Sequence, residues 1–569
     1  MSRQSIVIAL VLVALSRLIW IGRLPLLPDE AYYWDWSRRL DLGYFDHPPG
    51  VALVVRATTA IGGVSPAAVR LGMVLLGLGT AALAYRLAGR LGGRLAGWLA
   101  FAAAAICPLY ALLSLYAAPD GPMLFLWAAT VYATARAATT GRGRYWYAAG
   151  LALGLALLSK YVAILLAPSI FLFVALFQRW WLRRREPYLA TLVALLVFSP
   201  NLWWNLRHGW VSFRFQLGHG ACQGAGSLAD RLAATALYAA TQVGVVGPLL
   251  ALALGAGTVA AVVIGAKDRR HPRLPSHALE RRAPTSGPRL GSEGEGLTRH
   301  GTGGVGAGAA LLLLACCTVV PSLFFLAVHG LAHWAAPAYF SAIVCAAVVA
   351  ARWWRRVARR GRLVLLALGM VTGLATAAES GYLLYAVAGG APLPGPLGAA
   401  IGPTLVDPAA GWRATARAAG AALHGLDRGQ RRPAVLLADS YGTAAELAFN
   451  LPGHPRVYSS SNQYSLWGLP PAPPAPPAPP APPAPPAPPA GQGALILVSN
   501  AGTLASSGST LRQGARLAAT VSTRAQGRLV RRLEIAVLRP PARATRAALA
   551  DLMSYAWGAA ATGCEGSRR

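Results

Sequence analysis

Acidic side chains are scarce in this chain. Its 569 residues include 20 Asp and Glu against 52 Lys and Arg, and charged residues of both signs make up only 13%. With 55% hydrophobic residues and a mean hydropathy of +0.46, this poverty of charge excludes an ordinary soluble protein of such length. Cysteine is scarce too, and its six copies decide little. Cys107, Cys316, Cys317 and Cys345 fall in apolar runs. Cys222 and Cys564 are placed where pairing is conceivable, although isolated thiols are the simpler reading. No small-residue cleavage site follows the basic start and apolar middle of "SRQSIVIALVLVALSRLIWIG", so the segment is read as an uncleaved helix and not as a signal peptide.

What the chain has in abundance is apolar runs. They recur at roughly 5–22, 66–86, 95–115, 119–137, 147–160, 161–178, 188–205, 236–265, 305–328, 337–351 and 363–388. About 18 to 20 apolar residues are needed for a bilayer crossing, so the runs at 147 and 337 are the weakest. The expectation is an all-α polytopic membrane domain of about 11 transmembrane helices. The formal net charge of +32 raises nucleic acid as a partner, but the distribution of the charge speaks against it. If the runs alternate, the N-terminus and segments 86–94, 136–144, 179–185, 266–300 and 352–362 share one side and hold 25 Lys and Arg, whereas 23–56 and 207–231 hold 7. This is a positive-inside bias. It predicts a multi-pass protein of the plasma (inner) membrane with a cytoplasmic N-terminus and everything after about residue 389 outside.

Against that background, "PDEAYYWDWSRRLDLGYFDHPPG" (residues 28–50) concentrates five of the few acids in the first outer loop, 23–65. Carboxylates beside a bilayer are costly unless paired or functional. The spacing of Asp29, Tyr33 and Trp36 predicts a short helix lying along the surface, with Asp29 and Glu30 in its first turn and Pro28 at its start. The aromatics are expected at the membrane interface. Asp35 and Asp41 are expected to be solvated, Asp35 pairing with Arg38 or Arg39. Asp46 and His47 stand before a rigid Pro pair, suited to a divalent cation or a phosphate. Asp120 in "YAAPDGP", Lys160 and Tyr161 in "LLSKYV", and Asn205, Arg207, His208, Arg214, Gln216 and His219 in "SPNLWWNLRHGWVSFRFQLGHG" join them on the same face. A Lys in an apolar run must snorkel or face an anion. Carboxylates, cations and an aromatic floor on one face suit a lipid phosphate whose head group reacts just outside the bilayer. His329 and His333 have a spacing able to share a metal but are expected only to hydrogen-bond.

Residues 266–303, rich in Arg, Pro, Gly and Ser, read as a disordered cytoplasmic loop. The outside region 389–569 reads as a small α/β domain. Its strands are expected in "PAVLLA", "GALILVSNAG" and "RLVRRLEIAVLRP", with a helix at about Thr443 to Phe449 after a loop opening at Asp439. Asp439 and Glu446 are expected to start and pair along that helix. Seven PPA repeats, 470–490, predict a stiff polyproline II spacer of about 65 Å at about 3.1 Å per residue.

The segments "DEAYYWDWSRRLDLGYFDHPPG", "APDGPMLFLWA", "GLALGLALLSKY", "SPNLWWNLRHGWVSFRFQ", "HWAAPAY" and "ADSYGTAAELAFNLPG", in this order and spacing, resemble glycosyltransferase family 39. That is the dolichyl-phosphate-mannose protein mannosyltransferase and aminoarabinose transferase group, with the C-type glycosyltransferase fold. The resemblance covers most of residues 1–350. It implies transfer of a sugar from a polyprenyl-phosphate donor to an acceptor hydroxyl of a lipid, glycan or protein on the outer face, with inversion. By the same resemblance Asp29 is the catalytic base and Glu30 its support. Asp46, His47, Asp120, Lys160, Tyr161, Arg207 and Arg214 would bind substrate. His47 stands where relatives often carry Lys, so Lys160, Arg207 and Arg214 become alternative phosphate contacts. A divalent metal held by Asp46 with His208 or His219 is the cofactor the resemblance allows. A membrane transporter would need midplane charges and paired repeats, and no internal repeat is evident. A non-catalytic envelope assembly protein would have no need of the acidic pair.

Overall fold

Without water to satisfy backbone groups, an apolar run in a bilayer closes its own hydrogen bonds as a helix. The computed structural model describes residues 3–221, 227–270, 304–387, 407–427, 435–459, 461–464, 495–501, 515–525 and 528–538. The PPA tract, Cys222, Cys564 and most of segment 266–303 lie outside these residues. The helices of the first 387 residues are α1 (Arg3–Ile21), α2 (Pro28–Ser37), α3 (Gly50–Gly62), α4 (Pro66–Gly92), α5 (Arg94–Ile106), α6 (Pro108–Leu113), α7 (Asp120–Thr140), α8 (Arg144–Leu157), α9 (Leu166–Phe177), α10 (Glu186–Arg207), α11 (Val211–Ala221), α12 (Leu228–Val246), α13 (Pro248–Arg270), α14 (Gly304–Val328), α15 (Ala336–Arg356) and α16 (Arg359–Val387). Among the described residues six are long and apolar enough to cross a membrane: Pro66–Gly92, Glu186–Arg207, Pro248–Asp268, Gly306–Val328, Ala332–Arg356 and Arg359–Tyr382. Ile8–Ile21, Gly50–Gly62, Arg94–Ile106 and Tyr161–Phe177 are shorter apolar helices. Outward-facing Leu192, Leu196, Leu252 and Leu374 are exposed, as a lipid-facing surface requires.

Several elements differ from the sequence reading, each for a local reason. The run 236–265 is two helices, broken where Gly247 takes φ 94° ahead of Pro248, which lacks the N–H needed to continue a helix. The run 95–115 breaks likewise at Cys107, before Pro108. The first outer loop contains the apolar helix α3, and α13 continues to Arg270, five residues into the segment expected to be disordered. There Arg352 holds Asp268 at 3.2 Å. Small residues bring helices close: a Cβ at Gly150 of α8 would overlap the Ala190 carbonyl of α10.

The bundle has two chemically distinct ends. At one, Gln178 donates to the Ala138 carbonyl at 3.1 Å and Arg355 to the Gly92 carbonyl at 2.9 Å. At the other, the Asp29 loop meets the starts of α7 and α15 and the ends of α8 and α10. The cation-rich connections and the acidic loop are therefore segregated.

The C-terminal residues form a five-stranded mixed sheet of β1 (Val435–Ala438), β2 (Val457–Ser459), β3 (Leu495–Asn500), β4 (Ala515–Ala525) and β5 (Arg528–Leu538), in the order β2-β1-β3-β5-β4. β1 runs parallel to both β2 and β3, with Leu436 opposite Val457 and Ile496. β5 is antiparallel to β3 and β4. An uninterrupted apolar strand such as "VLLA" suits a sheet covered on its faces, and helices α17 (Trp412–Asp427) and α18 (Tyr441–Asn450) pack against it. β2, β4 and α17 were not legible in the sequence.

This sheet is not a separate body. Ala31, Tyr32, Trp34 and Trp36 of α2 share one buried cluster with Trp412, Leu436, Phe449, Ile496, Val498 and Ile535. The expected surface helix is therefore an internal one. Trp34 and Trp36 are 2% and 0% exposed, in the core and not at a membrane interface, because Phe449 of α18 packs on Trp34 at 5.0 Å and Tyr44 stacks on Trp36 at 4.0 Å between ring centroids.

Candidate active site

Helix α2 begins at Pro28, whose fixed φ suits the first helical position. The Leu27 N–H donates to Glu30 Oε2 at 3.0 Å, so Glu30 does cap the helix. Its carboxylate does more. Arg70 of α4 donates from Nε to Glu30 Oε1 at 2.7 Å and from a terminal nitrogen to Oε2. Ala117 N–H donates to Oε1 at 2.9 Å. Arg70 also reaches the carbonyls of Ile21, Leu24 and Pro25 at 3.1, 2.7 and 2.7 Å. Both ions are almost wholly buried, and a charge pair at that depth is sustained only by such complete hydrogen bonding. Glu30 thus fastens α2 to α4 and to the loop before α7.

Asp29, one residue earlier, points elsewhere and is half-buried. Tyr441 at the first position of α18 donates to Oδ1 at 2.8 Å, and Tyr116 donates to Oδ2 at 3.0 Å. The nearby Asp29 charge, more than burial, raises the Tyr441 phenol well above its usual range. Burial first, then the Asp29 and Asp46 charges, raises the Tyr33 phenol well above its usual range.

Asp46 is 8% exposed and accepts from the Tyr32 hydroxyl at 2.9 Å. Burial pushes its carboxyl up to about 7; the Tyr32 bond opposes this, and the Asp29 charge adds to it. Gln216 of α11 donates to the Asp46 carbonyl at 2.8 Å and lies 3.5 Å from His47 Nδ1. The Pro pair after His47 aims the chain so that Gly50 N–H donates to the Leu158 carbonyl at 2.8 Å. That bond brings the loop beside Lys160.

Lys160 does not snorkel. It is 6% exposed and reaches both Asp120 oxygens at 2.8 Å. It lies 5.7 Å from the Trp334 ring centroid, and His333 Nε2 stands 3.8 Å from Asp120 Oδ2. His329 bonds Thr235 at 2.7 Å. The two histidines therefore face different partners, His329 a hydroxyl and His333 a carboxylate.

Tyr161 donates to Asn201 at 3.1 Å and accepts from Asn205 at 3.2 Å; Asn201 in turn donates to the Leu42 carbonyl at 2.8 Å. Its hydroxyl thus belongs to a network that ties α10 to the first loop. Arg207 is exposed and lies over Trp203, 4.8 Å from its ring centroid. Arg214 is exposed on α11. His208 stacks on Trp204 at 4.1 Å between ring centroids, and His219 lies on α11 with its side chain outside the described residues.

Among the described residues no group of three or more His, Cys, Asp or Glu is able to hold a metal ion. Asp46 Oδ1 accepts from Tyr32 and His208 stacks on Trp204, and no step below is routed through a divalent cation.

Asp35 is another correction. It is 1% exposed, not solvated, because Tyr464 donates to it at 3.0 Å while Arg38 pairs with its other oxygen at 3.0 Å. Asp439 accepts from Asn500 N–H at 2.7 Å and from its side chain at 3.0 Å. It joins the ends of β1 and β3, while Ser440 caps α18 by accepting from Thr443 N–H at 3.2 Å. Glu446 lies buried over Glu30 and accepts from Asn450 at 2.8 Å; burial first, then the Glu30 charge, raises its carboxyl well above the usual range.

Residues 46–204 match the family model described as dolichyl-phosphate-mannose-protein mannosyltransferase. A curated relative, the lipid A galacturonosyltransferase RgtD of Rhizobium johnstonii, is 32% identical over 229 residues, which is 40% of this chain and 47% of the relative. The match thus spans about half the relative's length. The crystal structure of ArnT from Cupriavidus metallidurans bound to undecaprenyl phosphate superposes with a TM-score of 0.57 at 14% identity, over 95% of this chain and 99% of that one. The apo structure of that protein gives 0.56 at 16% identity, over 94% and 98%. Fold and site together define a multi-pass membrane protein with the C-type glycosyltransferase fold. More particularly, the chain is similar to the dolichyl-phosphate-mannose-protein mannosyltransferase model over residues 46–204 and to the lipid A galacturonosyltransferase over 229 residues.

Proposed function

We propose that the protein transfers a sugar from a polyprenyl-phosphate donor to an acceptor hydroxyl at the outer face of the plasma (inner) membrane, with Asp29 as general base. The observation that carries this reading is the Asp29 carboxylate. It is half-buried and held from both oxygens by phenol hydroxyls, on the loop that Gly50 joins to Leu158, two residues from the Lys160–Asp120 pair. A carboxylate offers about four lone-pair directions, so two remain for an acceptor.

In the proposed step the acceptor O–H gives its proton to Asp29 as that oxygen bonds to the anomeric carbon. The bond from that carbon to the phosphate oxygen breaks, and its electron pair leaves with the polyprenyl phosphate. Attack opposite the leaving group inverts the anomeric centre. A phosphate leaving group needs no protonation to depart, which is why one carboxylate suffices where glycosidases use two. Lys160, held on Asp120, is the cation proposed to meet the phosphate. His47 adds a donor when protonated, and Arg207 and Arg214 supply charge at the rim. Tyr161 would act through Asn201 and Asn205, Asp46 would position the loop, and Glu30 would support Asp29 by fixing α2. The lipid A in the galacturonosyltransferase's name and the undecaprenyl phosphate bound in the ArnT crystal structure support a lipid-linked donor and a lipid or glycan acceptor. The segregation of basic connections from the acidic loop supports an outward-facing site and a cytoplasmic N-terminus.

The test is transfer of label from a mixed pool of radiolabelled polyprenyl-phosphate sugars in permeabilised membranes holding equal amounts of wild type and Asp29→Asn. General-base catalysis contributes roughly 100- to 10,000-fold, so a drop of at least about 100-fold is expected. Wild-type transfer by the variant would remove Asp29 from the mechanism.

A further inference from the structure

The Asp29 carboxylate is built from two distant parts of the chain. One of its two phenol donors, Tyr116, precedes α7; the other, Tyr441, follows strand β1 of the C-terminal sheet. Three contacts fix Tyr441 in place. Ser440 caps α18 immediately before it, accepting from Thr443 N–H and donating to the Thr443 hydroxyl at 2.8 Å. The Tyr441 ring packs 5.0 Å from that of Tyr32. Gly442 lets the start of α18 approach the start of α2 so closely that a Cβ there would stand 2.8 Å from Pro28 Cβ.

From this geometry we infer that Tyr441 and Tyr116 are positioning residues for Asp29, and that the C-terminal sheet is part of the catalytic machinery, its module supplying one of the two hydroxyls that orient the base. The inference rests on the general-base reading above. A carboxylate on the first turn of a helix is free to rotate about χ1 and χ2. Two donors on opposite oxygens fix the carboxylate plane and leave the unoccupied lone pairs facing one direction. Orientation of this kind acts on the chemical step, since misplacing a reacting group costs rate more than binding. Removing one hydroxyl and keeping the ring leaves the packing with Tyr32 intact, so the effect belongs to the hydrogen bond.

The experiment compares the full-length wild type with Tyr441→Phe, Tyr116→Phe, the double variant and Asp29→Asn in permeabilised membranes. Initial rates are measured as the concentration of the radiolabelled polyprenyl-phosphate sugar pool is varied, and normalised to folded protein. Hydrogen bonds to a charged group are the strong kind. Each Phe variant is therefore expected to lose about tenfold or more in kcat with the apparent KM for the pool changed less than about twofold, and the double variant to lose more than either alone, the two effects not being independent because both hydroxyls act on one carboxylate. A purely structural role would instead lower the yield of folded protein and leave kcat per folded molecule unchanged. An inactive Asp29→Asn beside a Tyr441→Phe variant with wild-type kcat would overturn the inference and leave the base reading standing. A fully active Asp29→Asn would overturn both.

Discussion

Two adjacent acids, Asp29 and Glu30, carry the same charge and differ in almost everything else. One helical step of roughly 100° turns Glu30 into the bundle, where Arg70 consumes its charge, and leaves Asp29 facing Tyr116 and Tyr441. Asp46 shows how burial without a cation acts in the opposite sense. Its carboxyl is raised to about 7 in the folded chain from an ordinary 3.8. A raised carboxyl binds its proton more tightly when folded, so its contribution to stability is complete below about pH 4. It is lost progressively as pH rises, and gone above about 7. The expected size is about 4 kcal/mol, at about 1.4 kcal/mol per pKa unit. Asp35, Asp439 and Glu446 are shifted in the same direction, so the informative quantity is a difference. In thermal unfolding of the full chain in detergent between pH 4 and 8, Asp46→Asn should be markedly less pH-dependent than wild type; parallel curves would contradict the shift.

At the scale of elements, α2 is the part the sequence described best and placed worst. Its start at Pro28, its acidic first turn and its aromatic run were all legible, because they depend on local propensity and capping. Its burial was not, because the residues that cover it arrive about 400 positions later. What holds α2 in place is the Glu30–Arg70 pair together with the carbonyls Arg70 collects. Removing one member of a buried pair leaves an uncompensated charge at a cost of about 3–5 kcal/mol. Glu30→Gln is therefore expected to lower the unfolding temperature and the yield of folded protein. Glu30→Gln combined with Arg70→Met should recover much of that loss, since no buried charge remains. An additive double variant would contradict the pairing. The same logic explains Lys160: its apolar surroundings were legible, whereas Asp120, 40 residues away, could be identified as its partner only from coordinates.

The molecule as a whole is organised around a site that belongs to neither of its parts. The membrane bundle contributes Tyr116, Asp120 and Lys160, the first loop contributes Asp29 and Asp46, and the C-terminal sheet contributes Tyr441 and, through Tyr464, the fixing of Asp35. Among the described residues, ending the chain at residue 406 removes no helix long and apolar enough to cross a membrane. Even so, it would remove the Tyr441, Tyr464 and Phe449 rings that pack on Tyr32 and Trp34, which are 1% and 2% exposed. Such a variant is expected to insert in the membrane, to lose sugar transfer by at least about tenfold through the Tyr441 hydroxyl alone, and to become sensitive to protease within residues 28–50. Wild-type transfer by the truncated chain would show the sheet to be dispensable.

The sequence by itself determined the membrane class, the segregation of charge and the acidic loop, while the choice of Asp29 as base came from its resemblance to a known family. Composition, run length and local spacing are properties of neighbouring residues, and a chain carries them before it folds. Only the tertiary structure decided that Glu30 anchors while Asp29 stays accessible, that Lys160 faces Asp120, that Asp35 is buried, and that Tyr116 and Tyr441 meet on one carboxylate. Those outcomes depend on which surfaces cover which, and burial and pairing are settled by residues far apart in the chain.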